Sequence, residues 1–137
     1  MESRVEQAAM RHRKGYNCAQ AVACTYCDLV GLDEETMFKV TEGFGLGMGN
    51  MAGTCGAISG AIALAGMINS CGDLEQPITK ASTYKLERPI MEEFAAMNKS
   101  VICKDIKGVD TGVVLRSCPD CVRDAAALAE KHLFADK

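Results

Sequence analysis

A glycine-rich stretch that runs directly into a small, apolar segment most constrains how this chain can fold. The stretch covers residues 43–71 and places glycine at every second position from Gly43 to Gly49, and again at Gly53. So many glycines disfavour a helix or a well-packed strand. From Cys55 to Ile68 the residues are mostly small or apolar. We therefore predict a flexible loop that leads into a buried central helix.

The start of this central helix carries the strongest functional signal in the sequence. Thr54 is predicted to be the N-cap residue, because its hydroxyl can accept a hydrogen bond from an unpaired backbone N–H. Cys55 would then lie in the first turn, where the N–H groups and the helix dipole favour an anion. Such a position lowers the pKa of a thiol and favours the thiolate, which attacks disulfides and binds metals. The pattern therefore predicts thiol or thiolate–metal chemistry at Cys55.

Two further cysteines are predicted at the starts of helices. Asn17 is a good N-cap residue, which places Cys18 in the first turn of the second helix. Pro119 suits the first position of the last helix, which makes Cys118 its N-cap residue. Cys103 lies in the segment VICKDIKGV, which is predicted to be either a single helical turn or a partly extended connector.

The rest of the chain predicts further helices and an all-α fold. Helices are predicted in residues 2–14, 33–44 and 77–100, and Pro89 should kink or divide the last of these. A length of 137 residues favours one domain. Hydrophobic residues make up 48% of the chain, many of them alanine, which is typical of closely packed helices. We predict a single domain, residues 1–137, that forms a bundle of five to six helices.

The central helix has one face made of small residues. Gly56 and Gly60 are four positions apart, with Ala57 and Ala61 beside them, so the four share a region of the helix surface. Another backbone can approach such a surface closely. The pattern predicts close helix pairing, either within the chain or across the two-fold axis of a homodimer.

Composition and charge narrow the classes of partner and compartment. The net charge is −3 and the 15 basic residues are scattered, which argues against a nucleic-acid interface. No apolar run follows a basic start at the amino terminus, and the run from Cys55 to Ile68 is shorter than the roughly 20 residues needed to cross a bilayer. We expect a cytoplasmic protein without membrane insertion. Eight cysteines in a chain of this kind favour metal or redox chemistry.

Four of the cysteines also occur as Cys-x-x-Cys pairs, which leaves alternatives open. Cys24 and Cys27 are predicted on one face of the second helix, where free cysteines commonly act as small buried hydrophobic residues. Together with Cys118 and Cys121 they could instead supply the four thiolates of a zinc site. The segment Cys118-Pro-Asp-Cys121 by itself also suggests thiol–disulfide exchange at a helix start.

Several motifs taken together resemble one known family. They are a cysteine within GYNCAQAV, the motif Cys-Gly-Ala-x-x-Gly after a glycine-rich loop, a cysteine before an Asp-Ile-x-Gly turn, and a cysteine before a final Val-x-x-Ala-Ala helix. Over nearly its whole length the chain resembles the C_GCAxxG_C_C family of redox-active proteins. The resemblance implies an all-α fold and a redox or metal-cluster role. The matching residues are Cys18, Cys55, Gly56, Ala57, Gly60, Cys103 and Cys118.

The resemblance and the helix-start positions together favour an iron–sulfur protein that transfers electrons or senses redox state. The expected ligands are Cys18, Cys55, Cys103 and Cys118, with Cys55 and Cys118 as the redox-active thiolates. The chain departs from the family pattern by adding Cys24, Cys27, Cys71 and Cys121, which leaves open whether Cys118 or Cys121 faces the site. Alternatives are a metal-free dithiol and a structural or regulatory zinc site. An enzymatic role would be that of an oxidoreductase, acting with a redox partner protein that the sequence does not name.

Overall fold

Seven α-helices and no β-strand make up the fold, which confirms the predicted all-α class. A helical turn at Gly45–Met48, within the predicted flexible loop, is not counted among them, because Leu46 and Gly47 have left-handed backbone angles. The computed structural model describes residues 1–137. The helix count exceeds the predicted five to six, because the segment after Cys103 forms a short helix of its own. Two 3-10 turns lie at Cys27–Val30 and Glu42–Phe44. The helices are α1 (Val5–Lys14), α2 (Cys18–Thr25), α3 (Glu34–Thr41), α4 (Gly56–Asn69), α5 (Lys80–Asn98), α6 (Cys103–Lys107) and α7 (Cys118–Leu133).

The central helix α4 packs against α2, α5 and α7. Its closest approach is to α2: a Cβ atom placed on Gly60 would lie 2.5 Å from the carbonyl oxygen of Ala19. Ala57 and Ala61 on the same helix are completely buried. The small-residue face is therefore occupied within the chain, and it does not provide a surface for the two-fold axis of a homodimer.

The predicted helix starts are confirmed at one position and wrong by one residue at two others. Asn17 caps α2 in a capping box with Gln20, as predicted. Cys55, rather than Thr54, is the N-cap of α4, because Thr54 pairs with Ile102 in an isolated β-bridge. At α7, the hydroxyl of Ser117 accepts a hydrogen bond from the N–H of Asp120 at 3.3 Å. Ser117 is thus the N-cap, since a hydroxyl caps better than a thiol, and Cys118 is the first helical residue.

Backbone hydrogen bonds hold one side of the predicted flexible loop in place. The N–H of Cys55 donates to the carbonyl of Val101 at 2.7 Å, and the N–H of Cys103 donates to the carbonyl of Gly53 at 3.0 Å. These bonds place the end of the glycine-rich segment beside the start of α6. They bring Cys55 and Cys103, which are far apart in sequence, to neighbouring positions.

One of the two alternatives predicted for Pro89, and the predicted extent of the helix that carries Cys24, are wrong. Pro89 does not divide α5, which continues from Lys80 to Asn98. The carbonyl that loses its helical hydrogen bond belongs to Lys85, an exposed residue, so water can satisfy it. Helix α2 ends at Thr25, so Cys27 lies in the following 3-10 turn rather than on the helix that carries Cys24. None of the seven helices combines the length and the apolar character needed to span a membrane.

Candidate redox site

One cavity of about 190 Å³ collects five of the eight cysteines. It contains all four members of the predicted ligand set, and it contains the additional Cys121 as well. Cys118 and Cys121 therefore both line the cavity. The five are Cys18, Cys55, Cys103, Cys118 and Cys121.

Four of these cysteines occupy the start of a helix. Cys18, Cys103 and Cys118 are the first residues of α2, α6 and α7, and Cys55 is the N-cap of α4. Helix starts carry unpaired N–H groups and the positive end of the helix dipole. Their convergence gives the cavity a positive potential from the backbone alone, which favours thiolates.

Glycine at position 47 leaves room for one of the cysteines. Gly47 has a φ of 53°, and a Cβ atom there would lie 2.4 Å from the Cβ of Cys103. A side chain at this position would displace Cys103 from the cavity wall. The lack of a side chain at Gly47 therefore leaves the space that Cys103 occupies in the cavity wall.

Cys18 and Cys118 form the first of two thiol pairs in the cavity. The thiol of Cys18 donates a hydrogen bond to Cys118, which outweighs the opposing effect of burial and lowers the pKa of Cys118 to about 5. The ammonium group of Lys107 lowers this pKa further. The same hydrogen bond, together with burial, raises the pKa of Cys18. Cys118 is thus the thiolate of the pair and Cys18 the proton donor.

Cys55 and Cys121 form the second pair. A hydrogen bond from the thiol of Cys121 lowers the pKa of Cys55 to about 7, although burial opposes this shift. The N–H groups of Ala57 and Ile58 lower the pKa further, although neither makes a well-aligned hydrogen bond to the sulfur. The pKa of Cys121 is raised by its hydrogen bond to Cys55 and by burial. Burial also raises the pKa of Cys103, which has no thiol partner.

Three cationic or basic side chains line the same cavity, and no carboxylate does. The Nε2 atom of His12 lies 3.6 Å from the sulfur of Cys18. The guanidinium of Arg116 is held by two hydrogen bonds to Asp124, at 3.0 and 3.1 Å. Lys107 is the third basic residue. Local sequence patterns do not place these three residues together, because they come from separate segments of the chain.

The remaining three cysteines lie outside the cavity. Cys24 and Cys27 are buried in the core, and burial raises the pKa of Cys24 to about 12, which keeps it a neutral thiol. Cys71 is exposed between α4 and α5. The zinc site predicted from the two Cys-x-x-Cys pairs is therefore not formed, since only Cys118 and Cys121 reach the cavity. No group of three or more His, Cys, Asp or Glu side chains is placed to hold a metal ion.

The lowered pKa of Cys118 predicts how its thiol reacts with an alkylating agent. In the reduced, metal-free protein, iodoacetamide should modify Cys118 with a midpoint near its pKa of about 5. Only the thiolate reacts, so the rate should rise with pH through that midpoint, well below the range of an ordinary thiol at about 8.5. Lys107→Met removes a stabilising charge and should move the midpoint upwards. The rates can be measured by quantitative mass spectrometry of the cysteine peptides.

The matched control for this prediction is Lys104→Met. Lys104 is also a lysine of α6, but it does not line the cavity and instead lies 3.8 Å from Asp110. Its substitution should leave the midpoint of Cys118 unchanged. A midpoint near 8.5 in the unmodified chain would contradict the thiol–thiolate assignment.

A comparison with known protein families gives one match. The family model described as "Putative redox-active protein (C_GCAxxG_C_C)" matches residues 16–132. No curated protein and no solved structure matches the chain significantly. The matched range includes the five cysteines of the cavity, while His12 lies outside it.

Proposed function

The chain belongs to the C_GCAxxG_C_C family, and from that premise we propose that its cysteine cavity binds an iron–sulfur cluster for electron transfer or redox sensing. The observation that carries this proposal is the convergence of Cys18, Cys55, Cys103 and Cys118 on one cavity without a carboxylate. Thiolates without oxygen ligands are the donor set that iron–sulfur clusters prefer. When bound, such a cluster supplies one-electron chemistry.

The surroundings of the four cysteines suit an anionic group. His12, Lys107 and Arg116 place basic side chains at the cavity wall, and the helix starts add N–H groups. Ligand thiols must lose their protons, and these positive groups favour that loss. The Cβ-free position at Gly47 keeps the wall open beside Cys103. Hydrogen bonds to sulfur and burial are the features that tune the potential of a cluster.

The arrangement favours a cluster over a single metal ion. The sulfur atoms surround a cavity of about 190 Å³, whereas a single zinc ion needs its four ligands around one point at about 2.3 Å. No three side chains are placed to hold a metal ion in that way. Cys18, Cys55, Cys103 and Cys118, on four separate helices, would hold a group of several iron and sulfide atoms rather than one ion.

A second candidate function, thiol–disulfide exchange, is favoured by the position of Cys18 and Cys118 in one cavity, where the Cys18 thiol lowers the pKa of Cys118. The Cys118 thiolate would attack a substrate disulfide and form a mixed disulfide, while the first substrate sulfur leaves as a thiol. Cys18 would then attack the Cys118 sulfur and release the second substrate thiol. The substrate gains the two electrons that the protein dithiol loses. The pairing differs from the predicted Cys118-x-x-Cys121 dithiol, since Cys121 contacts Cys55.

Iron and acid-labile sulfide content, measured on protein purified without oxygen, decides between the two functions. The cluster proposal predicts that both are present, with a broad visible absorption band that bleaches with dithionite. Colourless protein that binds no iron and sulfide on reconstitution would overturn it. In that case, a Cys18–Cys118 disulfide formed on incubation with oxidised glutathione, detected by mass spectrometry, would support the exchange function.

A further inference from the structure

A second cavity is lined in part by Phe44, Met48 and Thr54 of the glycine-rich stretch. Its volume is about 510 Å³, within the range of about 300–1,000 Å³ that is common for small-molecule pockets. Phe44, Met48, Ile62 and Met91 form most of its apolar lining. We call this cavity the apolar groove.

The backbone of the glycine-rich segment holds one wall of the apolar groove in place. Met48 adopts a left-handed conformation with a φ of 66°, which is uncommon for a residue other than glycine. Its side chain packs over Gly53, where a Cβ atom would lie 2.5 Å from the Cγ of Met48. Such backbone conformations persist where the surrounding structure imposes them, and they concentrate at functional sites.

Glu87 is the one charged residue that lines the apolar groove. It is half-buried, and burial raises its pKa, a shift that the neighbouring Arg88 only partly opposes. Its carboxylate makes no ion pair within the chain, and no lysine, arginine or histidine lines the groove. A carboxylate in an apolar wall is costly unless a partner compensates its charge.

The geometry and the charge of the apolar groove point to one class of ligand. We propose that the groove binds a small molecule with an apolar, aromatic body and a single protonated amine, which pairs with Glu87. The apolar walls contact the body of the ligand, and the carboxylate supplies the complementary charge. This proposal holds whether the cysteine cavity contains a cluster or a dithiol.

The position of the apolar groove places such a ligand next to the cysteine cavity. Met48 and Thr54 line the groove, whereas their sequence neighbours Gly47 and Cys55 line the cysteine cavity. Ser59, which also lines the groove, donates a hydrogen bond to the carbonyl of Cys55 at 3.2 Å. The two cavities are therefore lined by adjacent residues of the same segment.

The test compares an amine with a neutral molecule of the same shape. Isothermal titration calorimetry would measure the dissociation constants of 2-(2-naphthyl)ethylamine and of the corresponding alcohol, 2-(2-naphthyl)ethanol, with the full chain. The amine should bind about tenfold more tightly, because hydrogen bonds to charged groups are stronger than those to neutral ones. Glu87→Gln should abolish this preference and leave the affinity for the alcohol unchanged. Ala63→Phe, which fills the groove, should weaken both ligands about tenfold.

The matched control is Glu92→Gln, which removes the same charge from an exposed position of α5 outside the apolar groove. It should preserve the preference for the amine. Equal affinities of amine and alcohol for the unmodified chain, or loss of the preference in Glu92→Gln, would overturn the proposal. A chain that sediments as a dimer and binds neither probe would also overturn it, because a second copy would then cover the groove. Circular dichroism checks that each variant is folded.

Discussion

Replacing any one of Cys18, Cys55, Cys103 or Cys118 by serine is expected to abolish the visible absorption band of the anaerobically purified protein. Each of these cysteines lies at the start of a different helix, and only the helix of Cys118 carries a second thiol in the cavity, that of Cys121, which interacts with Cys55. Serine is a harder ligand than a thiolate and is poorly suited to an iron–sulfur cluster. Iron and sulfide content should fall with the band, and both can be measured on the same samples.

Two control variants make this expectation specific. Cys71→Ser alters an exposed cysteine outside the cavity and should leave the band and the iron content unchanged. Cys121→Ser alters a cysteine inside the cavity but outside the proposed ligand set, so the iron content should be retained. Loss of iron in Cys121→Ser combined with its retention in Cys118→Ser would show that the proposed ligand set is wrong. Far-ultraviolet circular dichroism would separate ligand loss from unfolding.

The helical class and the position of the thiols could be predicted because the signals are local. Asn17 and Gln20 form a capping box that can be inferred from four consecutive residues. The glycines before Cys55 disfavour a long helix or strand, and this part of the chain forms only a 3-10 turn at Glu42–Phe44 and one irregular helical turn at Gly45–Met48. A cysteine near a helix start is likewise a local pattern. These features do not depend on how the helices pack, and they were predicted to within one residue.

The content of the cavity beyond those four cysteines could not be predicted in this way. Lys107 and Arg116 reach the site from α6 and from the segment before α7, and His12 reaches it from the end of α1. Their proximity depends on helix packing, which no sequence spacing reveals. Thr54 illustrates the same limit at a smaller scale, because its pairing with Ile102 decides that it does not cap α4.

The substitution with the largest expected effect on stability is Gly60→Ala in the central helix. The added Cβ atom would lie 2.5 Å from the carbonyl oxygen of Ala19 and 3.1 Å from its Cα atom. Both atoms belong to the backbone of α2, so the clash cannot be relieved by a change of rotamer. Overpacking of this kind costs about 1–3 kcal/mol. The free energy of unfolding should fall by that amount in urea titrations, and the melting temperature by about 3–10 °C.

Gly66→Ala is the matched control, because it makes the same chemical change in the same helix with the opposite expected sign. A Cβ atom on Gly66 meets no atom within 4 Å, so only the higher helix propensity of alanine remains, and the chain should gain about 0.5–1 kcal/mol. If Gly60→Ala and Gly66→Ala lowered the free energy of unfolding by the same amount, the contact between α4 and α2 would not be the cause of the loss.

The Gly60→Ala substitution should also disturb the proposed redox site, because Cys18 lies at the start of α2 and Cys55 at the start of α4. A shift between these helices separates two of the four proposed ligands, so the iron content of Gly60→Ala should fall even under conditions where the protein remains folded. Gly66→Ala should retain its iron. Full iron content in a destabilised but folded Gly60→Ala variant would mean that the helix starts keep their positions independently of the contact between α2 and α4.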